Sequence, residues 1–236
     1  WMYDLNTSKE KLLFHDMRVG TLTVSQTTHE LSGIQHQSGK AILVKSKYPF
    51  TELQSLSVFK VGDEFQDLAI NSKGNLLAAT MHFSDGKQSI IISDITDLEK
   101  GKSFSFKAIT SSGSPENPSW SCDGNYLYWN AYTNGVSNIY RYDLKSEEII
   151  PISNSIIGLF RPVEVSKDSM VAMKFSLEGF TPVKFGIQRS EKLPAINYFG
   201  QKILDKTPEL YNLNLKSADE VIDKNSFGEE ESYSSF

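Results

Sequence analysis

Asn117-Pro118-Ser119-Trp120-Ser121-Cys122-Asp123-Gly124-Asn125-Tyr126-Leu127-Tyr128 is the stretch on which the fold reading turns. A short strand ends at Ser121, Asp-Gly supplies a tight turn, and an aromatic strand follows. Asp-Gly between apolar stretches signals a hairpin, because Gly tolerates the positive φ that such turns demand. Residues 126–132 are rich in aromatics, which favour a pleated, half-buried surface. Further on, Thr133-Asn134-Gly135 turns again and residues 136–144 read as a third strand. Lys145-Ser146-Glu147-Glu148 is a polar turn before Ile149-Ile150-Pro151-Ile152, an outer strand whose free edge tolerates proline.

Working outward, the same phrase returns: Leu22-Thr23-Val24-Ser25, Leu68-Ala69-Ile70-Asn71, Pro118-Ser119-Trp120-Ser121 and Val163-Glu164-Val165-Ser166. Ser25, Asn71, Ser121 and Ser166 stand 46, 50 and 45 residues apart. A period of roughly 40–50 residues with about four strands per unit marks a β-propeller blade. The preceding units read as strands over 65–71, 76–83, 89–95 and 103–109, and before them 21–25, 30–36, 41–47 and 53–61. Residues 1–15 read as the last two strands of a truncated blade. A fifth, incomplete unit covers 161–166, 170–176 and 182–188. The expected fold is all-β: a partial propeller of about four blades with an irregular C-terminal tail. Such an arc leaves unpaired strand edges at its ends.

The phrase at 117–128 resembles the repeat of TolB-like six-bladed propellers, whose blades carry a Pro-x-Trp-Ser-Pro-Asp-Gly-x-x-Leu/Ile-x-Phe/Tyr core. Ser137-Asn138-Ile139-Tyr140-Arg141-Tyr142-Asp143-Leu144 is similar to their next strand. Cys122 departs from the pattern where Pro is usual, Lys73 replaces the turn Asp, and Ser169 replaces the turn Gly. The resemblance covers residues 1–188 and implies a six-bladed ring. A second resemblance concerns the join. Leu193-Pro194-Ala195-Ile196, Phe199-Gly200-Gln201 and Lys206-Thr207-Pro208-Glu209-Leu210 look like large bacterial envelope proteins in which a periplasmic TolB-like propeller precedes a surface-antigen-type outer-membrane barrel. That resemblance implies a periplasmic or outer-membrane-associated location.

Residues 1–189 are therefore read as propeller blades and 190–236 as a linker to a downstream domain. Within the linker, 199–206 reads as a short helix halted at Thr207-Pro208. The segment is polar from Asn212, and its end is acidic. The chain opens on Trp1 inside a strand-like stretch, which reads as a piece of a longer protein.

With 236 residues, of which 39% are hydrophobic, the chain can bury a sizeable core. A net charge of −5 with both signs interspersed argues against a nucleic-acid surface. No apolar run approaches the roughly 18–20 residues of a membrane-spanning helix. Cys122 is the only cysteine, so neither an internal disulfide nor a cysteine-rich metal site is available. His29-Glu30-Leu31-Ser32-Gly33 begins like a zinc motif, but it lacks the second histidine one helical turn on. Each Asp turn offers a single carboxylate, too few oxygens for calcium. Gly101-Lys102-Ser103 lacks the upstream glycine of a phosphate loop, and no Gly-x-Ser-x-Gly elbow occurs. No cofactor is expected.

Alternation puts Tyr126, Tyr128 and Asn130 on one strand face and Leu127, Trp129 and Ala131 on the other. Most of these rings are expected between blades, with Tyr132 reaching the surface. The expected function is non-catalytic binding or scaffolding of a protein or envelope component through loops that precede each innermost strand: 18–20, 62–64, 113–117 and 158–161. The candidate contact residues are Arg18, Asp63, Glu64, Glu116, Asn117 and Arg161. The rival reading is a propeller that gates a hydrolase of the prolyl-oligopeptidase type, with the catalytic domain outside this sequence. A third reading is carbohydrate binding by exposed aromatics.

Overall fold

The structure is a computed structural model describing residues 1–100, 103–190, 206, 207 and 209. Five antiparallel sheets follow one another along the chain. The first is a hairpin of β1 (Met2–Asp4) and β2 (Lys9–Lys11). Three four-stranded blades follow. They comprise β3 (Val19–Val24), β4 (Leu31–Gln37), β5 (Lys40–Ser46) and β6 (Gln54–Val58); β7 (Glu64–Ile70), β8 (Leu76–His82), β9 (Gln88–Asp94) and β10 (Lys107–Thr110); and β11 (Glu116–Trp120), β12 (Tyr126–Ala131), β13 (Asn138–Asp143) and β14 (Ile149–Pro151). A three-stranded blade of β15 (Leu159–Ser166), β16 (Ser169–Ser176) and β17 (Gly179–Gly186) completes the described arc. In every blade the strands are paired in chain order, so consecutive strands are direct neighbours.

The Ser or Asn that ends the repeated phrase closes the first hairpin. Asn71 Oδ1 accepts the N–H groups of Asn75 (3.0 Å) and Leu76 (3.1 Å). Ser121 Oγ accepts from Tyr126 N–H (2.9 Å), and Ser25 Oγ from Thr28 N–H (3.2 Å). All three side chains are buried, so a non-polar residue there would leave buried turn amides unpaired.

Alternation along β12 divides its side chains between two neighbours. Leu127, Trp129 and Ala131 pack with Ala78 and Ile90 of the β7–β10 blade. Tyr128, with Ile139, Ile150 and Ile152, packs against Leu159, Met170 and Ala172 of the β15–β17 blade. A third cluster joins Ile34 and Leu43 to Phe65, Leu77, Met81 and Ile91. Each large side chain buried this way contributes about 1.5–3 kcal/mol. The core therefore sits between blades, which is where the sequence placed the rings. Tyr132 does reach the surface, against the ring edge of Phe160 at 6.0 Å.

Two strands differ most from the sequence reading. The outer strand expected over 103–109 is shorter, as β10, because α1 (Ile95–Glu99) intervenes. Asp94 caps that turn by accepting Thr96 N–H at 2.9 Å, and Ile95 and Leu98 anchor it in the first cluster. Phe104 packs its ring edge-on to Phe59 at 4.9 Å instead of pairing in a strand. The strand expected from 182 starts at Gly179, which lies at φ 98° after a two-residue turn. The helix expected over 199–206 and the 190–236 linker lie almost wholly outside the described residues.

Candidate functional site

The innermost strands β3, β7, β11 and β15 lie side by side, and each carries a register shift against its partner. In three of them the bulged residue adopts left-handed backbone: Asp67 at φ 51°, Asn117 at 55° and Arg161 at 50°. Such a bulge bends the strand and re-aims its side chain, which is why bulges concentrate at functional rims. Non-glycine residues hold this conformation only where surrounding structure fixes it. For Asn117 and Arg161 the fixing comes from the preceding blade. Asn117 N–H donates to Asp67 Oδ2 (3.3 Å), and Thr80 Oγ1 donates to the same oxygen (3.4 Å). Arg161 N–H donates to Asn130 Oδ1 (3.1 Å), and Asn130 is fully buried.

Two glycines set up the approach to these strands. Gly113, at φ 71°, lies so close to the Thr133 backbone that a Cβ would stand 2.4 Å from its nitrogen. Gly158, at φ 89°, leaves room for the Phe160 ring, 2.9 Å from where a Cβ would be.

The bulged residues open onto a cleft of about 500 Å³ shared by three blades. Asp67, Glu116, Asn117 and Arg161 provide its polar wall, while Phe160 and Phe180 lead its apolar one, edge-to-face at 5.4 Å. A shallower depression of about 390 Å³ runs on along the inner strands, between Thr21, Leu68, Pro118 and Val163. The cleft thus offers two carboxylates, one exposed guanidinium without an ion-pair partner among the described residues, and a pair of rings. Such a set suits an extended ligand that is part charged and part apolar.

Of the six residues expected from sequence, Glu116, Asn117 and Arg161 meet in this cleft. All three lie within strands: β11 starts at Glu116, one residue before the expected strand, and β15 at Leu159, two residues before Arg161. The other three are elsewhere. Arg18 is exposed, and its carbonyl accepts His36 N–H (3.0 Å). Asp63 caps a neighbouring turn by accepting Ser84 N–H (3.0 Å). Glu64 is exposed at the start of β7, opposite His82. The cleft also contains Asp67, Phe160 and Phe180, which the sequence reading passed over. Repeat phase carried the signal for Asp67, which precedes Asn71 by the same four residues as Asn117 precedes Ser121.

Among the described residues, no group of three or more His, Cys, Asp and Glu side chains gathers where it could hold a metal ion. No helix among them is long and apolar enough to cross a membrane.

No family model matches the chain, and no curated protein matches it. Solved structures do. TolB from Acinetobacter baumannii superposes with a TM-score of 0.66 at 13% identity, covering 78% of this chain and 45% of that one. The fold is that of a TolB-like propeller. The chain also matches a chain of a nidogen–laminin complex, with a TM-score of 0.51 at 11% identity over 66% of this chain and 57% of that one. A prolyl endopeptidase matches with a TM-score of 0.53 at 12% identity, over 75% of this chain and 28% of the enzyme. The described propeller thus spans about half the length of the TolB and nidogen–laminin chains.

Proposed function

We propose that this chain is a non-catalytic binding module whose contact surface is the inner-strand cleft, and that its partner is a protein of the cell envelope. The observation that carries this reading is the convergence of Asp67, Asn117 and Arg161 from three successive blades, with the Asn117 and Arg161 backbones each held by a side chain of the blade before it. A surface preordered in this way binds without a further ordering cost. The Arg161 guanidinium supplies a bidentate donor for a carboxylate, and Phe160 and Phe180 supply an apolar flank. The likeness to TolB supports the envelope setting and a periplasmic location, with outer-membrane association resting on the sequence resemblance alone.

The test is capture from a solubilised envelope fraction by the wild-type chain, by Arg161→Glu and by Glu116→Lys. Both variants are expected to lose the same partner, while Lys145→Glu on a distant outer turn keeps it. Equal capture by all four proteins overturns the reading. The likeness to a prolyl endopeptidase favours the gating alternative. Its test is peptidase activity in the full parent protein: turnover of long peptides rising in Arg161→Glu supports a gate, and absence of turnover removes it.

A further inference from the structure

The inner strands that meet at the cleft bring together charges that do not neutralise one another. Asp67 comes from β7, Glu116 from β11 and Arg161 from β15. Among the described residues, neither carboxylate lies within ion-pair distance of a cation, and the Arg161 guanidinium has no carboxylate within that distance. Asp67 commits only Oδ2 to the fold, where it accepts from Asn117 N–H and Thr80 Oγ1. Both carboxylates are half-buried. A partly desolvated charge without a counter-ion adds nothing to folding, and it gains most from a partner that arrives from outside.

Asn130 shows that the fold gives up stability to hold this set. Its side chain is fully buried, its Oδ1 accepts the Arg161 N–H, and its Nδ2 has no hydrogen-bond partner among the described residues. A buried donor left unpaired is destabilising. What the amide returns is the fixing of Arg161 in left-handed backbone, with its side chain on the cleft wall.

We propose, on the reading of the cleft as the contact surface, that its ligand is zwitterionic: a peptide segment presenting a basic group, an apolar side chain and a carboxylate in that spatial order. The blades fix the order. Asp67 and Glu116 stand on the β7 and β11 side and take the basic group, while Arg161 on β15 takes the carboxylate as a bidentate pair. Phe160, Met173 and Phe180 belong to the β15–β17 blade, so the apolar side chain lies next to the carboxylate. Two carboxylates against one guanidinium disfavour a purely anionic ligand, and a purely basic one leaves Arg161 uncompensated. The volume of about 500 Å³ falls within the roughly 300–1,000 Å³ of small-ligand sites, enough for a few residues.

Two peptides test this on the isotope-labelled intact chain, read from the Asn117 and Arg161 amide shifts. One is acetyl-Lys-Ala-Phe with a free terminal carboxylate, and the other is acetyl-Lys-Phe-Glu amide. Binding is expected for at least one, the first marking a terminal carboxylate and the second a side-chain one. Exchanging its lysine for norleucine, or its carboxylate for an amide, is expected to weaken binding about threefold or more at low salt. Glu116→Gln is expected to shrink the lysine–norleucine difference and Arg161→Gln the acid–amide difference, while Lys145→Glu keeps both. Neither cleft substitution removes the Asn130 hydrogen bond to the Arg161 N–H. Equal binding of charged and neutral peptides overturns the zwitterionic assignment, as do differences that survive both substitutions unchanged or no binding by either peptide. Envelope capture that still depends on Arg161 and Glu116 would then leave the cleft reading standing. Capture indifferent to both residues would remove that reading as well.

Discussion

Trp120 lies in the repeated phrase, and its indole N–H donates to the Ala69 carbonyl of the neighbouring blade at 3.0 Å. Trp120→Phe keeps a ring in the cluster and removes the donor, leaving the half-buried Ala69 carbonyl without that bond. The expected loss is about 1–3 kcal/mol in urea unfolding at unchanged m-value. Tyr128 makes the corresponding link forward, donating to Glu164 Oε2 at 2.7 Å while Cys122 N–H donates to Oε1 at 3.1 Å. Burial, and then the Glu164 carboxylate, hold the phenol far above its ordinary range. The unfolded chain releases this proton near pH 10, which the folded chain keeps, so stability falls as pH rises past that point. Tyr128→Phe is expected to flatten this alkaline fall, read from urea midpoints at about pH 8 and 10.5. An equal fall in both proteins would mean that Tyr128 contributes nothing to it. The presence of these two rings was legible in the sequence. Their partners were not, because Ala69 and Glu164 stand 51 and 36 residues away and no local pattern links them.

Hairpins were the most legible elements, since Asp-Gly and Asn-Gly encode a turn within a few residues. The inner-strand bulges were opaque. Their left-handed residues are Asp67, Asn117 and Arg161 rather than glycines, and tertiary bonds hold the Asn117 and Arg161 amides there. That is why half of the expected contact residues fell outside the cleft. The strand pair β4–β5 hides a further tertiary feature. Lys45, on β5, is almost fully buried, and its ammonium lies 2.7 Å from Glu30 Oε2, which itself is mostly buried. Burial pushes the Glu30 carboxyl up, and the Lys45 hydrogen bond and charge more than offset it, so its net position is low. The pair therefore contributes stability above the ordinary glutamate range and loses it as pH falls below about 4.5. Glu30→Gln takes a carboxylate partner from a buried ammonium, at a cost of up to about 3–5 kcal/mol, and Glu30→Gln/Lys45→Met is expected to recover most of that. Double-mutant unfolding at pH 7 measures both. A double mutant no better than Glu30→Gln would show that the ammonium is stabilised by other groups.

At the scale of the whole arc, each hydrophobic cluster joins two adjacent blades and none spans three. Stability then follows nearest-neighbour logic, as in other repeat architectures: a blade with two packed faces opens less readily than one with a single packed face. The β11–β14 blade is packed on both faces, through Trp129 toward one neighbour and Tyr128 toward the other. The β1–β2 hairpin is the opposite case, its six strand residues all exposed or half-buried. Native-state hydrogen exchange should therefore grade along the chain. The slowest amides are expected in β8 and β12, an intermediate set in β16, and the fastest in β1 and β2. Trp129→Ala removes a fully buried ring from the central interface, which costs about 3–5 kcal/mol. If coupling runs only between neighbours, that substitution speeds exchange in β8 and β12 and leaves β4, on the far side of the β7–β10 blade, closer to its original rate. Uniform acceleration across every blade would show instead that the arc opens as one cooperative unit. The inner strands would then bind the blades together more tightly than their separate clusters imply.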